Sequence, residues 1–405
     1  MREIAITGVG ITTPVGQGKA AVQQAMLNGA SAFRVMQRPG RQRGNSAFLG
    51  AEIDSVQLPD DVPARMRRTL SWSARVALAT VSEAWSDAQL AAVDPARIGL
   101  VVGGSNLQQR ELTLTQDAYR ERFEFLHPTY GHTFMDTDIA ALCTEVFGIK
   151  GVAFTVGGAS ASGHLAIIQA INAVCAQQVD ACIAVGALMD LSYLECQGLR
   201  ALGAMGSDRF ASAPAEACRP FDRQHDGFIY GENCGAVVIE RAEQARSRPY
   251  ALVRGWSYLA DAHRNPDPSL EAQMRAIHTA MDMSGIAAGD FDYVNPHGTG
   301  SVLGDETELQ ALKSCGLSRA RINASKAIFG HGLSAAGAVE VIATLLQMRA
   351  GKLHPTPNLH EPIDPSFAWV REAPCAHQIH HALNSSCAFG GINSAICLSN
   401  CTNQA

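Results

Sequence analysis

Short apolar runs alternate with helical patterns along the whole chain, and this alternation restricts the fold more than any other feature. Apolar runs bounded by Gly, Pro and polar residues predict buried strands, and apolar residues spaced three and four apart predict helices. The predicted strands cover residues 4–8, 98–103, 153–156, 181–185, 235–240, 251–258, 293–295, 381–386 and 394–398. The predicted helices cover residues 20–27, 69–88, 162–177, 270–283, 305–315 and 335–349. This order of elements indicates a layered α/β fold.

A charged, polar stretch at residues 242–249 separates two of the apolar strands and marks a boundary. Strands and helices are predicted on both sides, so we expect two units, 1–244 and 245–405. The segment TVGGASASG at 155–163 resembles AFGGINSA at 388–395, since both join a Gly-Gly turn to an apolar strand, and this favours two similar halves. Residues 107–143 are polar, aromatic and irregular, and we expect them to form an excursion that packs on a second subunit.

Composition excludes several classes of function. The net charge is −6 and only five of the 32 basic residues are lysine, so a broad basic face for nucleic acid is not expected. The eleven cysteines are scattered without a CxxC pair, which argues against a disulfide framework, and neither the cysteines nor the histidines have the spacing of a metal site. The uncharged stretch 151–179 contains Gly, Ser, Asn and Gln, which argues against a membrane span. No basic-then-apolar signal begins the chain, so a cytoplasmic location is predicted.

The first chemically informative segment is the turn GGASASG at 157–163, between a predicted strand and a predicted helix. Ser160 in this turn would lie at the positive end of the helix dipole, where several backbone N–H groups lack helical partners. Such a position suits a nucleophile or an oxyanion. A tight turn with a serine N-cap explains the same residues, so the turn alone does not decide between the two.

Three further segments carry histidine, lysine and glycine in loops. His297, in NPHGTGS, follows a short strand on a Gly-flanked loop that can point an imidazole into a cleft. In NASKAIFGHG, Lys326 and His331 precede an Ala-rich helix that contains Glu340, an acid that would need a partner such as Lys326 or a histidine if buried. The segment SSCAFGGIN at 385–393 has two glycines after an aromatic residue, which lets backbone N–H groups approach a ligand. Each segment also fits a plain turn or a surface residue when it is taken alone.

Together, the order and spacing of these four segments resemble the β-ketoacyl synthases of the thiolase superfamily over nearly the whole chain. RPFD at 219–222 and DGF at 226–228, followed by Gly-Glu at 231–232, are similar to a further block of that family. The resemblance implies a thiolase-like five-layered αβαβα fold made of two similar halves. It also implies no cofactor of the protein's own and a substrate carried on the phosphopantetheine arm of an acyl carrier protein.

The resemblance further implies roles for individual residues. In that family a cysteine carries the acyl chain, and two histidines, which map to His297 and His331, polarise the thioester of a malonyl unit. The family lysine maps to Lys326. Three acidic positions are implied to support that lysine and the second histidine: Asp305, Glu308 and Glu340. Backbone N–H groups at positions 160 and 389 are implied to form an oxyanion hole.

The sequence departs from the family pattern at its central position, where Ser160 stands in place of the cysteine. A hydroxyl has a far higher pKa than a thiol at about 8.5, and a helix dipole supplies only ~0.3–2 kcal/mol. Ser160 is therefore expected to acylate poorly unless a histidine deprotonates it. Loss of CO2 from a malonyl thioester needs no thiolate, because two histidine N–H donors can hold the charge of the enolate oxygen. The chain is therefore similar to the decarboxylating ketosynthases of polyketide β-branching cassettes, which turn malonyl carrier protein into acetyl carrier protein without condensation.

Other family positions suggest the gate and the docking surfaces. The family gate reads Gly-Phe-Gly-Phe-Gly-Gly, whereas this chain has Cys387 and Ala388 before Phe389, so its gate need not admit a long acyl chain. Hydroxyls similar to those that bind the pantetheine arm belong to Thr299 and Ser301. A small basic cluster at the start of a helix suits an acidic carrier-protein helix and a phosphate, although a solvated helix face explains it equally: Arg65, Arg67 and Arg68.

Three alternatives stay open at this point. Ser160 could be a true nucleophile in a ketosynthase-like acyltransferase, or the chain could be a non-catalytic partner subunit similar to a chain-length factor, or the serine could be an engineered replacement of cysteine. For a decarboxylating ketosynthase, the resemblance implies a homodimer with its contact at 107–143 and 153–156. Further implied partners are HMG-CoA-synthase-like and enoyl-CoA-hydratase-like pathway enzymes.

Overall fold

A computed structural model describes residues 3–60 and 62–401, and its elements follow the predicted alternation. The elements up to residue 241 are β1 (Ile4–Thr13), β2 (Gly16–Gln17), α1 (Lys19–Leu27), β3 (Phe33–Val35), β4 (Leu49–Ala51), α2 (Ala64–Arg67), α3 (Trp72–Asp87), β5 (Ile98–Gly103), α4 (Gln109–Tyr119), α5 (Tyr130–Thr133), α6 (Asp138–Phe147), β6 (Ala153–Val156), α7 (Ser162–Cys175), β7 (Ala181–Gly186), α8 (Tyr193–Ala201), β8 (Tyr230–Gly231) and β9 (Cys234–Arg241). The elements that follow are β10 (Ala251–Ala260), α9 (Leu270–Ser284), β11 (Tyr293–Asn295), α10 (Val302–Ser314), β12 (Arg321–Ile322), α11 (Lys326–Phe329), α12 (Ala336–Ala350), β13 (Lys352–Leu353), β14 (Ala368–Trp369), β15 (Cys375–Ala376), β16 (His381–Ala388) and β17 (Ile392–Ser399).

The two halves of the chain repeat one strand order. In the first half the strands lie side by side as β6-β5-β7-β9-β1, and in the second as β12-β11-β16-β17-β10. Each set has the same directions: its first three strands are parallel, and its last two pairings are antiparallel. The two sets join where β1 pairs antiparallel with β10. The fold is therefore an α/β fold made of two similar halves, as predicted, and the predicted 244/245 boundary lies in the connection between β9 and β10.

Five layers result from helices on both faces of both sets of strands. Helix α3 packs on β1 and β9, α7 and α12 pack on each other between the two sets, and α9 packs on β10 and β17. Strand β5 is apolar throughout because both of its faces are buried. Leu100 and Val102 lie in the core beneath α3, and Val101 lies in the central core. Strands buried on both faces read as continuous apolar runs instead of alternating ones.

The two central helices cross at a pair of glycines. A Cβ on Gly163 of α7 would lie 2.5 Å from the backbone N of Ala338, and a Cβ on Gly337 of α12 would lie 2.7 Å from His164 Cδ2. The missing side chains let the two backbones touch, which fixes the starts of both helices side by side. The stretch Leu333–Ala350 is apolar and long enough to span a membrane by composition, but 89% of it is buried in this fold.

The structure corrects two predictions about organisation. The turn at 157–163 does not correspond to 388–395, which lies where β16 turns into β17. Its counterpart is 331–337, because the two turns follow β6 and β12, the first strand in the order of each half, and lead into the central helices. The excursion 107–143 is also less irregular than predicted, because α4, α5 and the first half of α6 lie in it. Helix α4 is mostly polar and buries Arg110 alone, and α5 has four residues, so neither shows the apolar stripe of a core helix.

Candidate active site

Three loops that follow strands meet at one cavity of about 240 Å³. Ser160 follows β6, His297 follows β11, and His331 follows β12 and the short helix α11. All three side chains line the cavity. Loops beyond the carboxyl ends of parallel strands are where α/β sheets bind ligands. The duplicated strand order therefore brings Ser160 to the same cavity as two histidines that lie more than 130 positions further along the chain.

Ser160 lies in a single turn of 3-10 helix, Ala159–Ala161, immediately before α7. Ala159 has a φ of 44°, an uncommon value for a residue with a side chain. The Ser162 hydroxyl stabilises this turn, because its Oγ accepts the backbone N–H of Gly158 at 2.9 Å and donates to the carbonyl of Ala159 at 2.7 Å. The Ser160 side chain is thereby held at the start of the helix, as the sequence predicts.

The hydrogen bonds of His331 identify which ring nitrogen carries its proton. The backbone N–H of Leu333 donates to His331 Nδ1 at 3.2 Å, so Nδ1 has no proton in the neutral ring. Nε2 then carries the hydrogen and lies 3.1 Å from Ser160 Oγ. His331 is therefore a donor toward Ser160, and the serine oxygen accepts.

His297 has the same tautomer for a different reason. Its Nδ1 lies 3.2 Å from Nζ of Lys326, and an ammonium group has only donors to offer. Lys326 also donates to the backbone carbonyl of His297 and to the carboxylate of Glu340, which lies on α12. The buried lysine thus contacts both the ring and the backbone of His297, and Nε2 of His297 carries the hydrogen.

The two imidazoles share one region of the cavity. Their ring centroids lie 5.3 Å apart with an interplanar angle of 84°. Burial lowers the pKa of His331 and of His297 well below the ordinary 6.5, and the nearby charge of Lys326 lowers both further. Both rings are therefore neutral at pH 7, and each offers one N–H donor. Burial raises the pKa of Glu340 to about 7, while the contact with Lys326 opposes the rise.

Comparison with known families matches both halves of the chain. Residues 1–245 match the beta-ketoacyl synthase N-terminal domain, and residues 250–360 match the beta-ketoacyl synthase C-terminal domain. The chain belongs to the beta-ketoacyl synthase family.

Relatives of this ketosynthase-family chain include two kinds of protein. It is 55% identical over 401 residues to the polyketide biosynthesis malonyl-ACP decarboxylase PksF of Bacillus subtilis, covering 98% of this chain and 96% of that protein. It is 30% identical over 404 residues to 3-oxoacyl-[acyl-carrier-protein] synthase 2 of Mycobacterium tuberculosis, covering 97% and 96%. A solved beta-ketoacyl synthase from Burkholderia phymatum is similar with a TM-score of 0.85, 26% identity and coverage of 99% of this chain and 100% of that one.

Two acidic residues of this ketosynthase-family chain do not support the groups that the sequence resemblance implied. Glu308 accepts the backbone N–H groups of His297 and Gly298 at 2.6 and 2.7 Å, and the Ser385 hydroxyl at 2.7 Å. It therefore holds the loop of the first histidine and does not contact Lys326 or His331. Burial raises the pKa of Glu308, and the N–H donor of Gly298 is the largest influence that lowers it.

Asp305 differs in the same way. Its carboxylate accepts the backbone N–H groups of Gly300 at 3.0 Å and Phe221 at 2.6 Å, and its Oδ2 lies 3.0 Å from His225 Nδ1. Helix α10 begins at Val302, three residues earlier than predicted, so both acids lie on its early turns beside the loop. Of the three predicted acids, only Glu340 contacts the lysine.

The remaining predicted residues divide into those at the cavity and those away from it. Thr299, Ser301, Cys387 and Phe389 all line the cavity. The Thr299 and Ser301 hydroxyls lie 2.8 Å apart and bond to each other. Burial raises the pKa of the Cys387 thiol well above its ordinary value, with Glu308 adding to the rise, so the group stays protonated.

The basic cluster lies outside the cavity lining, on and beside the short helix α2. Arg65 and Arg68 are exposed. Arg67 is different, because its guanidinium donates to the carbonyls of Val62 and Pro59 at 2.7 and 2.6 Å. Arg67 therefore also stabilises its own loop, through Nε and one of its two Nη atoms.

Sequence reasoning missed three contributors to the site. Phe228 packs edge-on against the His331 ring with centroids 5.0 Å apart. The Leu333 N–H fixes the tautomer of His331, and His225 contacts Asp305. The DGF block at 226–228 could have indicated Phe228. No sequence pattern indicates that a backbone N–H, such as that of Leu333, donates to a histidine ring.

Proposed function

We propose that this ketosynthase-family protein decarboxylates malonyl-acyl carrier protein to acetyl-acyl carrier protein and forms no carbon–carbon bond. The observation that carries the proposal is the pair of neutral imidazoles, His297 and His331, which both offer Nε2–H to the cavity beside Ser160. The name of the similar Bacillus subtilis protein, a polyketide biosynthesis malonyl-ACP decarboxylase, supports it.

The proposed reaction uses the two donors on one oxygen. The thioester carbonyl oxygen of the malonyl group accepts hydrogen bonds from both Nε2 atoms. The bond between the carboxylate carbon and the α-carbon then breaks, CO2 leaves, and the electron pair becomes an enolate whose charge resides largely on that oxygen. Donors already positioned at a developing oxyanion each contribute about 10²–10³-fold to the rate. Lys326 keeps His297 in the required tautomer throughout.

The geometry disfavours the two alternative functions. An acyltransferase would need a base to remove the Ser160 proton, but Nε2 of His331, the nearest ring nitrogen, already carries a hydrogen and donates it toward the serine. A partner subunit without activity would have no use for a complete set of His297, His331, Lys326 and Glu340 in contact around a cavity.

The partners follow from the substrate. We propose that an acyl carrier protein presents malonyl on its phosphopantetheine arm and that Thr299 and Ser301 bind the arm. We also propose that the cluster of Arg65, Arg67 and Arg68 binds the carrier's acidic surface. The product would serve polyketide β-branching with HMG-CoA-synthase-like and enoyl-CoA-hydratase-like enzymes in the cytoplasm. We further propose units 1–244 and 245–405 and a homodimer formed through 107–143 and β6, where the side chain of Phe154 is 41% exposed.

The test is the mass of the carrier-bound group after malonyl carrier protein is mixed with catalytic amounts of the enzyme. The proposal predicts that malonyl disappears and acetyl appears at an equal rate, with no acetoacetyl product. The same carrier protein without enzyme is the control for spontaneous loss of CO2. Malonyl that persists unchanged would contradict the proposal.

A further inference from the structure

A decarboxylation that ends in acetyl must supply a proton to carbon. In a condensing enzyme the α-carbon of the enolate forms a bond to an acyl group, whereas here, if the proposed function holds, that carbon must take a hydrogen instead. The cavity therefore needs a protic group beside the α-carbon as well as donors at the oxygen.

Most protic side chains at the cavity are already committed. Both imidazole N–H groups are used at the enolate oxygen, and a neutral imidazole that gave up its hydrogen to carbon would become an anion. Three other hydroxyls of the lining are held within their own loops, because Thr299 and Ser301 share one hydrogen bond and Ser269 accepts the N–H of Ala272 at the start of α9. Among the described residues of the lining, Ser160 and Cys387 carry an O–H or S–H hydrogen and make no such local bond, and we take these two as the candidates.

Ser160 has the better geometry of the two. Within the described part of the chain, the one hydrogen-bond partner of its Oγ is His331 Nε2, at 3.1 Å, and in that bond the serine accepts. Its own hydrogen is therefore free to point into the cavity. A thioester oxygen that takes over the Nε2–H of His331 must lie next to Oγ, and the α-carbon is two bonds from that oxygen.

We propose that the Ser160 hydroxyl delivers the proton to the α-carbon of the enolate, which makes Ser160 a catalytic residue of the decarboxylation. The Oγ–H bond breaks as the new C–H bond of the acetyl methyl forms, and the enolate electron pair becomes that bond. A water molecule that enters the cavity from solvent protonates Oγ in the same event. The resulting hydroxide combines with the released CO2 to give bicarbonate, so atoms and charge balance.

The test measures how the enolate partitions between protonation and recapture of CO2. Malonyl carrier protein is incubated with excess enzyme in ¹³C-labelled bicarbonate with carbonic anhydrase, and mass spectrometry follows label entering malonyl and acetyl forming. Without the serine proton the enolate persists and recaptures labelled CO2. In Ser160→Ala we expect acetyl formation to fall about tenfold and the ratio of exchange to acetyl to rise about tenfold. This is less than the roughly 10²–10⁴-fold that a general acid typically supplies, because water can replace the hydroxyl in part.

Matched variants separate this role from a structural one. Ser334→Ala makes the same change in the corresponding turn of the second half, and we expect the wild-type ratio. Cys387→Ala removes the other candidate donor, and its ratio is expected to equal the wild-type value whatever its rate. Ser160→Cys restores a protic group and should restore the ratio when acetyl is counted on both the carrier protein and the enzyme. Excess enzyme limits condensation with a second malonyl group. If Ser160→Ala does not fold, Ser160→Gly removes the same hydroxyl.

The outcomes distinguish the two proposals. A wild-type enzyme that makes no acetyl contradicts the proposed function itself. An active wild type whose Ser160→Ala variant keeps the wild-type ratio overturns the role of Ser160 and leaves decarboxylation standing. An equally raised ratio in Cys387→Ala, with none in Ser160→Ala, would assign the proton to the thiol and also overturn the proposal.

Discussion

The turn at 157–163 and the turn at 331–337 occupy equivalent places in the two halves, yet they contribute different chemistry. GGASASG and HGLSAAG share four of seven residues. Each contains a residue with positive φ at the same place, Ala159 at 44° and Leu333 at 49°, and each leads into a central helix. The two turns thus share the residue with positive φ and the helix start, whereas the preceding glycines differ, with φ of −162° at Gly158 and −76° at Gly332.

The side chains on that scaffold have diverged. Ser160 lines the cavity, whereas the corresponding Ser334 is buried, and its Oγ has no hydrogen-bond partner among the described residues. His331 stands where the first turn has Gly157. One half therefore supplies a hydroxyl at a helix start and the other supplies an imidazole, and a single active site needs both turns. A duplicated fold can build an asymmetric site in this way without changing its frame.

The largest expected effect comes from removing the imidazole of His331, which has no counterpart in the turn of the first half. His331→Ala should lower the rate of acetyl formation by about 10²–10³-fold, because one of two donors to the enolate oxygen is lost. His297→Ala, which removes the other donor, should have an effect of the same size. The measurement is the initial rate of acetyl carrier protein formation.

Ser334→Ala is the control for the imidazole variants, since it changes the same turn three residues further on and should leave the rate unchanged. A His331→Ala rate within twofold of that control would mean that the imidazole does not stabilise the reacting oxygen.

The two glycines at which the central helices touch, Gly163 and Gly337, should matter for the free energy of unfolding. Gly163→Ala places a Cβ 2.5 Å from a backbone atom of α12, which cannot move easily, and should cost about 3 kcal/mol of unfolding free energy. Gly337→Ala meets His164 at 2.7 Å and should cost about as much. Urea unfolding monitored by circular dichroism measures both.

Gly198→Ala is the matched control for the glycine variants. It lies in helix α8 with nothing within 4 Å of an added Cβ, so it should stabilise the protein by about 0.5–1 kcal/mol. Wild-type stability in Gly163→Ala would show that the central helices do not touch at this point.

A smaller, pH-dependent effect comes from His164, whose counterpart in the second half is Ala338. Burial lowers the pKa of His164 to about 3, and Lys326 adds to the effect. The unfolded chain therefore binds a proton below pH 6.5 that the folded chain does not, so stability present above pH 6.5 is lost as the pH falls. Between pH 7 and pH 5 this histidine should account for a loss of about 2 kcal/mol.

His164→Ala, which makes the two halves alike here, should reduce that pH-dependent loss by the same amount in urea titrations at the two pH values. The other buried histidines contribute equally to wild type and variant, so the difference isolates His164. An identical pH dependence in both proteins would contradict its buried, neutral state.

The sequence predicted the buried strands correctly but misplaced the internal repeat. Strands such as β5 are apolar because both faces are buried, and this pattern is visible without coordinates. The repeat was misplaced, because the sequence match at 388–395 rested on glycines, whereas the true counterpart at 331–337 has a histidine in place of the first glycine. Strand order was needed to find it.

Within the site, it was easier to predict which residues take part than which groups each residue contacts. The sequence picked out Ser160, His297, His331 and Lys326, and the structure brings them together at or beside one cavity. It could not show that Glu308 holds a loop instead of the lysine, since one helical turn of register decides which group a carboxylate reaches. The backbone donor that fixes His331 has no side-chain signature at all.

The most direct test of the central claim is the intact mass of the enzyme during turnover. Wild type and Ser160→Cys are each mixed with malonyl carrier protein, quenched while acetyl product is accumulating, and analysed by mass spectrometry. We expect wild type to convert malonyl while its own mass stays unchanged, and Ser160→Cys to gain an acetyl adduct. An acetyl ester on Ser160 of the working wild-type enzyme would contradict it.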